Sequence, residues 1–200
     1  MILSDEGIRR ALESGEIEIS PSPEKDHYSP SAVDILLGAA DHFRCWKSEL
    51  TGAKGVRVVL NLAEQDYHST ARGYLEVFKP EKDGSIIIPP YSQVPQLILC
   101  QTLQRLHLRP ESRLAARVEG RSSLARLGLM VHMTAPTIHA TFNATITLEM
   151  VNHGPFHLQL IPEKTRICQF IFERLESVPE KALDSAFQGQ TGPEGTRKQR

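Results

Sequence analysis

The residues best suited to chemistry lie between Arg121 and Met150. Arg121-Ser122-Ser123-Leu124-Ala125-Arg126 is a short cationic turn with hydroxyls ahead of good helix formers. Ser122 or Ser123 is the expected cap of a helix start. Free backbone N–H groups there would make an anion site flanked by two guanidiniums. The second feature is the run 145–150, which alternates in polarity. Ile146, Leu148 and Met150 fall on one face; Thr145, Thr147 and Glu149 fall on the other. Glu149 is therefore expected on the polar side of a strand whose other side is core. A carboxylate held on a rigid strand near an Arg/Ser turn is equipped to act as a general base. Taken alone, such a Glu is more often a solvated strand residue, and Arg121 and Arg126 more often surface charges or ion-pair partners.

The elements that must position these groups are mostly short strands. Ser4 can cap a helix running to about residue 14, with Ile8 and Leu12 on one face and Gly15 as its stop. Ile17 and Ile19 alternate with Glu16 and Glu18. Further strands are expected over 33–37, 56–62, 74–78, 85–88, 97–103, 113–118 and 129–132, then in the alternating stretch from Phe156 to Leu160 and over 165–172. Pro89-Pro90 stops the strand before it. Asp34 reads as structural, bonding local backbone. Many short strands and few helices indicate an all-β barrel or sandwich-like fold. The residues beyond 175 are polar, carry three glycines and end on Lys and Arg, which reads as a flexible tail.

With 200 residues, the chain suits one domain. The net charge of −1 offers no basic field for nucleic acid. Cys45, Cys100 and Cys168 lie far apart, an odd set that fits inert core thiols in a reducing cytoplasm. No apolar run approaches the ~20 residues of a membrane span, and charges in the first turns argue against a signal peptide.

Glu119-Gly120-Arg121-Ser122-Ser123-Leu124-Ala125-Arg126-Leu127-Gly128-Leu129, Ile146-Thr147-Leu148-Glu149 and the opening Met1-Ile2-Leu3-Ser4-Asp5 stand in an order and spacing that resemble the dCTP deaminases of the dUTPase-like superfamily. Pro30-Ser31-Ala32-Val33-Asp34-Ile35-Leu36-Leu37-Gly38 is similar to the family's first motif, with Leu36 where an Arg is usual. Phe187-Gln188-Gly189-Gln190-Thr191-Gly192-Pro193 is similar to its tail. The resemblance implies a mainly β, distorted barrel with few short helices over 1–175 and a tail over 176–200 that closes over nucleotide. It implies a homotrimer with shared sites.

It also implies metal-free hydrolytic deamination of dCTP to dUTP, in the supply of pyrimidine deoxynucleotides. Glu149 would be the general base/acid, while Ser122 and Arg126 position water and pyrimidine. Arg121 and Ser123 would bind phosphate, and Ala135, Thr147 and Gln190 would contact the nucleotide. Mg²⁺ would accompany the triphosphate. The His-x-Glu and Pro-Cys-x-x-Cys signature of zinc deaminases is absent from the sequence, so no zinc is expected. His132 is as readily a structural histidine as a substrate contact.

Two stretches depart from the family. Its Ile-Asp-Pro-Gly-Phe/Trp-x-Gly loop appears as Ile138-His139-Ala140-Thr141-Phe142-Asn143-Ala144. His139 stands where a sugar-contacting Asp is usual, Phe142 retains the aromatic, and a turn that wanted glycine must be rebuilt. In the tail, Glu180 and Ala186 stand where phosphate-facing Tyr and Lys are usual, with Lys181, Arg197 and Lys198 as nearby cations. A non-catalytic or regulatory nucleotide-binding trimer is therefore the alternative, and a dUTP diphosphatase a weaker third.

Overall fold

The computed structural model describes residues 1–51, 56–64 and 66–196. It opens with α1 (Asp5–Glu13), where Ser4 Oγ accepts from the Gly7 backbone N at 3.2 Å. Asp5 and Glu6 sit at the positive end of the helix dipole. Ile8 and Ala11 are buried, and Gly15, at φ +74°, turns the chain out. The first strands follow: β1 (Ile17–Ser20), β2 (Tyr28–Ser29), β3 (Ala32–Leu36) and β4 (Arg44–Trp46). Next come α2 (Tyr67–Tyr74), β5 (Leu75–Val77), β6 (Ile86–Ile88), β7 (Ile98–Leu108) and β8 (Leu114–Gly120). Beyond α3 (Ser122–Arg126) lie β9 (Leu129–Met130), β10 (Thr137–Ile138), β11 (Asn143–Asn152), β12 (Leu158–Leu160) and β13 (Arg166–Arg174).

The strands form two main sheets. One runs β5-β4-β7-β11-β9, with β1 also paired to β7. The other runs β10-β8-β13-β3-β2, and β12 with β6 makes a separate antiparallel pair. Val33, Ile35, Val118, Phe170 and Phe172 of one sheet share a core with Ile98, Cys100, Leu106, Leu148 and Met150 of the other. Each such fully buried apolar side chain stabilises the fold by roughly 1.5–3 kcal/mol. Among the described residues, strand pairing joins the two main sheets only at the bridge from Leu37 to Thr102, so the barrel is open. There Gly38 N donates to Gln101 O at 2.8 Å, and a Cβ on Gly38 would lie 2.6 Å from that oxygen. Only glycine permits this approach.

β7 is longer than the expected 97–103 because β1 and β11 flank it and satisfy its backbone well past Gln101. β11 likewise extends the expected 145–150 in both directions. β9 is shorter than the expected 129–132 and leaves His132 outside the strand.

One expectation was wrong in kind. The 56–62 stretch forms no strand: it finds no partner strand among the described residues, and Val59 and Leu62 are 76% and 84% exposed. The strand expected over 74–78 is present as β5, and the residues before it, for which no element was expected, are helical. Asp66 caps them by accepting from Ser69 N at 3.0 Å. That cap was the available signal, masked by weak helix formers such as His68, Thr70 and Gly73. No helix among the described residues is long and apolar enough to cross a membrane.

Candidate active site

Residue pairing across β7 and β11 sets the geometry. Glu149 lies opposite Leu99 and Thr147 opposite Gln101, so all four share a sheet face. The register shifts between Thr145 and Thr147, where Ile146 N donates instead to Thr102 Oγ1 at 3.0 Å. Above this face opens a cavity of about 430 Å³, with Trp46, Tyr67 and Leu99 in its walls. Of the expected site residues, Glu149, Thr147, Ala135, His139, Phe142 and Gln190 line it.

Burial raises the Glu149 pKa above the ordinary carboxylate range, opposed by the Met133 backbone N–H, its own backbone and the nearby His132. A half-buried carboxyl tuned upward is the state a proton-transferring group needs near neutral pH. Tyr67 is pushed up to about 12 by burial and by the Glu194 and Glu149 charges. Its neutral hydroxyl donates to Pro193 O at 2.8 Å.

Two lining residues carry unsatisfied polar atoms: Thr147 Oγ1 and Gln190 Oε1 are buried and find no hydrogen-bond partner among the described residues. Leaving such groups unpaired costs about 1–3 kcal/mol each. An uncharged polar ring with donors and acceptors on its edge is the kind of ligand that relieves this cost.

The tail forms one wall. Gln188 accepts from Asn143 N at 3.1 Å and donates to Thr141 O at 2.9 Å. Gln190 Nε2 donates to Thr145 O at 2.9 Å. Phe187 packs edge-on against Tyr67, with centroids 5.7 Å apart, and Glu194 pairs with Arg44 at 2.6 Å. Ala186 is buried against this wall, while Glu180 is exposed. Arg197 and Lys198 lie outside the described residues. The rebuilt turn keeps its left-handed residue: Thr141 sits at φ +66°, and its hydroxyl accepts from Leu183 N at 2.8 Å. A β-branched residue is strained there, and its side chain ties the tail down in return.

Arg121, Ser122, Ser123 and Arg126 do not line the cavity. The expected serine cap is absent. Arg121 itself is the N-cap, in extended conformation, and no side chain caps the turn. The helix therefore begins at Ser122 and leaves both serines exposed. Arg126 is exposed and has no ion pair among the described residues. Arg121 is instead held by Asp34 at 3.2 Å. Asp34 was expected to bond local backbone; it forms ion pairs with side chains far away in sequence. His132 faces Glu119 at 3.7 Å. Trp46, Tyr67 and Phe187 entered the site without being singled out. Only Phe187 stood within a quoted motif.

The structure is thus a two-sheet β fold with one half-buried carboxylate in a cavity that Thr147 and Gln190 also line. A family model described as dCTP deaminase-like matches residues 2–175, and the chain belongs to that family of hydrolytic enzymes. Among its relatives, "dCTP deaminase, dUMP-forming" of Methanothermobacter thermautotrophicus is 38% identical over 98% of this chain and 93% of its own. The protein of the same description from Methanosphaera stadtmanae is 35% identical over 96% and 91%. "dCTP deaminase" of Rhodospirillum rubrum is 37% identical over 90% and 86%. Among solved structures, the 2'-deoxycytidine 5'-triphosphate deaminase from Agrobacterium tumefaciens superposes with a TM-score of 0.57 at 16% identity. The match covers 86% of this chain but 47% of that one, and it speaks to the fold alone.

Proposed function

We propose that this protein deaminates dCTP by hydrolysis, as a homotrimer in which each site joins the Glu149 cavity of one copy to the 121–126 turn of another. The observation that carries the reading is Glu149, half-buried with a raised pKa in a cavity that it shares with the unpartnered Thr147 hydroxyl and Gln190 amide oxygen. The cytosine ring lies in that cavity. Water attacks the ring carbon bearing the amine, forming a C–O bond, and Glu149 takes its proton. The C–N bond then breaks as Glu149 returns the proton to the departing nitrogen, leaving a uracil ring and ammonia.

Thr147 and Gln190 satisfy the edge of the base, Ala135 lies beside it, and Phe142 packs against the sugar. Ser122 and Arg126 from the second copy position water and pyrimidine, and Arg121 and Ser123 meet the phosphates. Two features support the shared site. The turn is exposed yet absent from its own chain's cavity, and Arg126 is a cation with no partner of its own among the described residues. The tail closes over the nucleotide through Phe187 and Gln190.

Glu149 is the only carboxylate among the residues lining the cavity, beside a single imidazole and no thiol. That donor set suits acid–base catalysis by Glu149 and does not make a zinc site. It offers no carboxylate pair for Mg²⁺ either, so Mg²⁺ entering with the triphosphate would be held by phosphate oxygens. No step is routed through it. The three free, buried thiols suit a cytoplasmic setting.

The test is to incubate the protein with dCTP and Mg²⁺ and to separate the nucleotides. Appearance of dUTP is expected, and unchanged dCTP with folded protein overturns the reading. A second reading, release of dUMP, is favoured by the descriptions of the relatives from the two methanogens. The same separation distinguishes it. His139→Asp is expected to lower the KM for dCTP about tenfold, the value of one charged hydrogen bond to the sugar. Steady-state kinetics on the purified variant checks this, and a KM that does not fall means that His139 serves the ligand itself.

A further inference from the structure

We infer that Asp34 is a positioning residue for Arg121, and that through this pair the sheet beneath the turn sets recognition of the substrate's phosphates. The inference rests on the dCTP reading above. Asp34 sits on β3 and is 6% exposed. One carboxylate oxygen accepts from Gln169 Nε2 on β13 at 2.8 Å. The other lies 3.2 Å from Arg121 Nη2 and 3.7 Å from Arg166 Nη1. Arg121 Nη1 also donates to Arg166 O at 3.4 Å. Arg166 is engaged a second time, by the Asp26 carboxylate and by Asp26 O at 3.1 Å.

The charges in this cluster balance: Asp26 and Asp34 against Arg121 and Arg166. They are not equivalent, because Arg166 pairs with two carboxylates whereas Arg121 pairs with one. A guanidinium has five N–H donors. The Arg166 carbonyl takes one of them and Asp34 pairs with the charge, while the Arg121 side chain remains 31% exposed, next in sequence to the exposed Ser122 and Ser123. A buried carboxylate gripping one edge of an arginine fixes the plane and direction of the fork, so the free edge is pre-oriented for an anion. Without that grip Arg121 keeps its charge and loses its aim. The loss falls on phosphate contacts, which grow in number from nucleoside mono- to triphosphate. It does not fall on the base, which is read in the Glu149 cavity.

The experiment compares Asp34→Asn with the unaltered protein in dCTP turnover and in binding of dCTP and dCMP by calorimetry. An amide accepts a hydrogen bond from Arg121 without the charge. The expected result is a KM for dCTP raised 10- to 100-fold with a smaller fall in kcat, and a ratio of dCTP to dCMP affinity lowered by a similar factor. A merely structural role would weaken both nucleotides equally and leave the ratio unchanged. Equal weakening, or no change in either, overturns the inference. If Asp34→Asn fails to fold, Asp34→Glu keeps the charge and displaces the fork by one methylene. The same drop in the ratio is then expected, and an unchanged ratio again overturns it. Absence of dCTP turnover by the unaltered protein would instead defeat the underlying functional reading.

Discussion

Glu149→Gln is expected to lower kcat by about 10²–10⁴-fold while nucleotide binding stays close to that of the unaltered protein. The amide is nearly isosteric and still reaches the cavity, but it cannot take a proton from water. The pH dependence follows from the direction of the shift. Burial raises the Glu149 pKa, and a base works only when deprotonated. Activity should therefore rise with pH through a value above the ordinary carboxylate range, giving an acid limb displaced toward neutrality.

Stability should move the opposite way. Because the folded protein holds this proton more tightly than the unfolded chain, the carboxyl costs nothing below its unfolded pKa. It becomes progressively destabilising as pH rises through the window up to its folded pKa. Glu149→Gln should then melt at the same temperature as the unaltered protein in acid and at a higher temperature at pH 8. Paired melting curves at the two pH values check this, and steady-state kinetics checks the turnover. A variant with normal kcat removes Glu149 from the chemistry. A variant that is dead and also less stable at pH 8 shows that the carboxylate holds the fold.

The face of Glu149 was legible because strand side chains alternate with a period of two. Ile146, Leu148 and Met150 could only be inside if Thr145, Thr147 and Glu149 pointed away. The helix start at Ser4 and its stop at Gly15 were legible for an equally local reason, since caps are read from a few neighbouring residues. The site as a whole was not. Nothing in the spacing from Arg126 to Glu149 says that the turn and the carboxylate stand apart in one chain, because loop residues between strands set no distance. Nor does the residue type of Asp34 reveal that its partner is Arg121, across 87 positions of sequence, and not its own backbone.

The 56–62 stretch failed for a different reason. β-prone side chains mark a segment able to pair, and pairing needs a neighbour that the described chain does not supply. The Ile138-to-Ala144 loop was legible in one respect: the missing glycine's backbone demand survives at Thr141, φ +66°.

The separation between the 121–126 turn and the Glu149 cavity leads to the second large effect. Arg126→Ala alone is expected to be as inactive as Glu149→Gln, because each removes one half of the reacting constellation. Coexpressed, the two inactive chains should recover activity. In the shared site proposed above, Glu149 comes from one copy and Arg126 from another. An Arg126→Ala chain still brings an intact Glu149, and a Glu149→Gln chain an intact Arg126. In every mixed cyclic trimer one site in three pairs these two intact halves, so activity should return to about a third of that of the unaltered protein. The measurement is dCTP turnover by the coexpressed mixture, purified through different tags on the two chains so that only mixed assemblies are assayed. Recovery requires that the turn reach a neighbour's cavity, since no rearrangement within one chain restores a missing carboxylate or guanidinium. Mixed assemblies that stay as inactive as their parents would mean that each chain builds its site alone. Arg126 would then have to reach Glu149 by movement of the 121–126 turn toward its own cavity, against the Arg121–Asp34 ion pair and the bond from His153 N to Gly128 O that anchor the segment on either side.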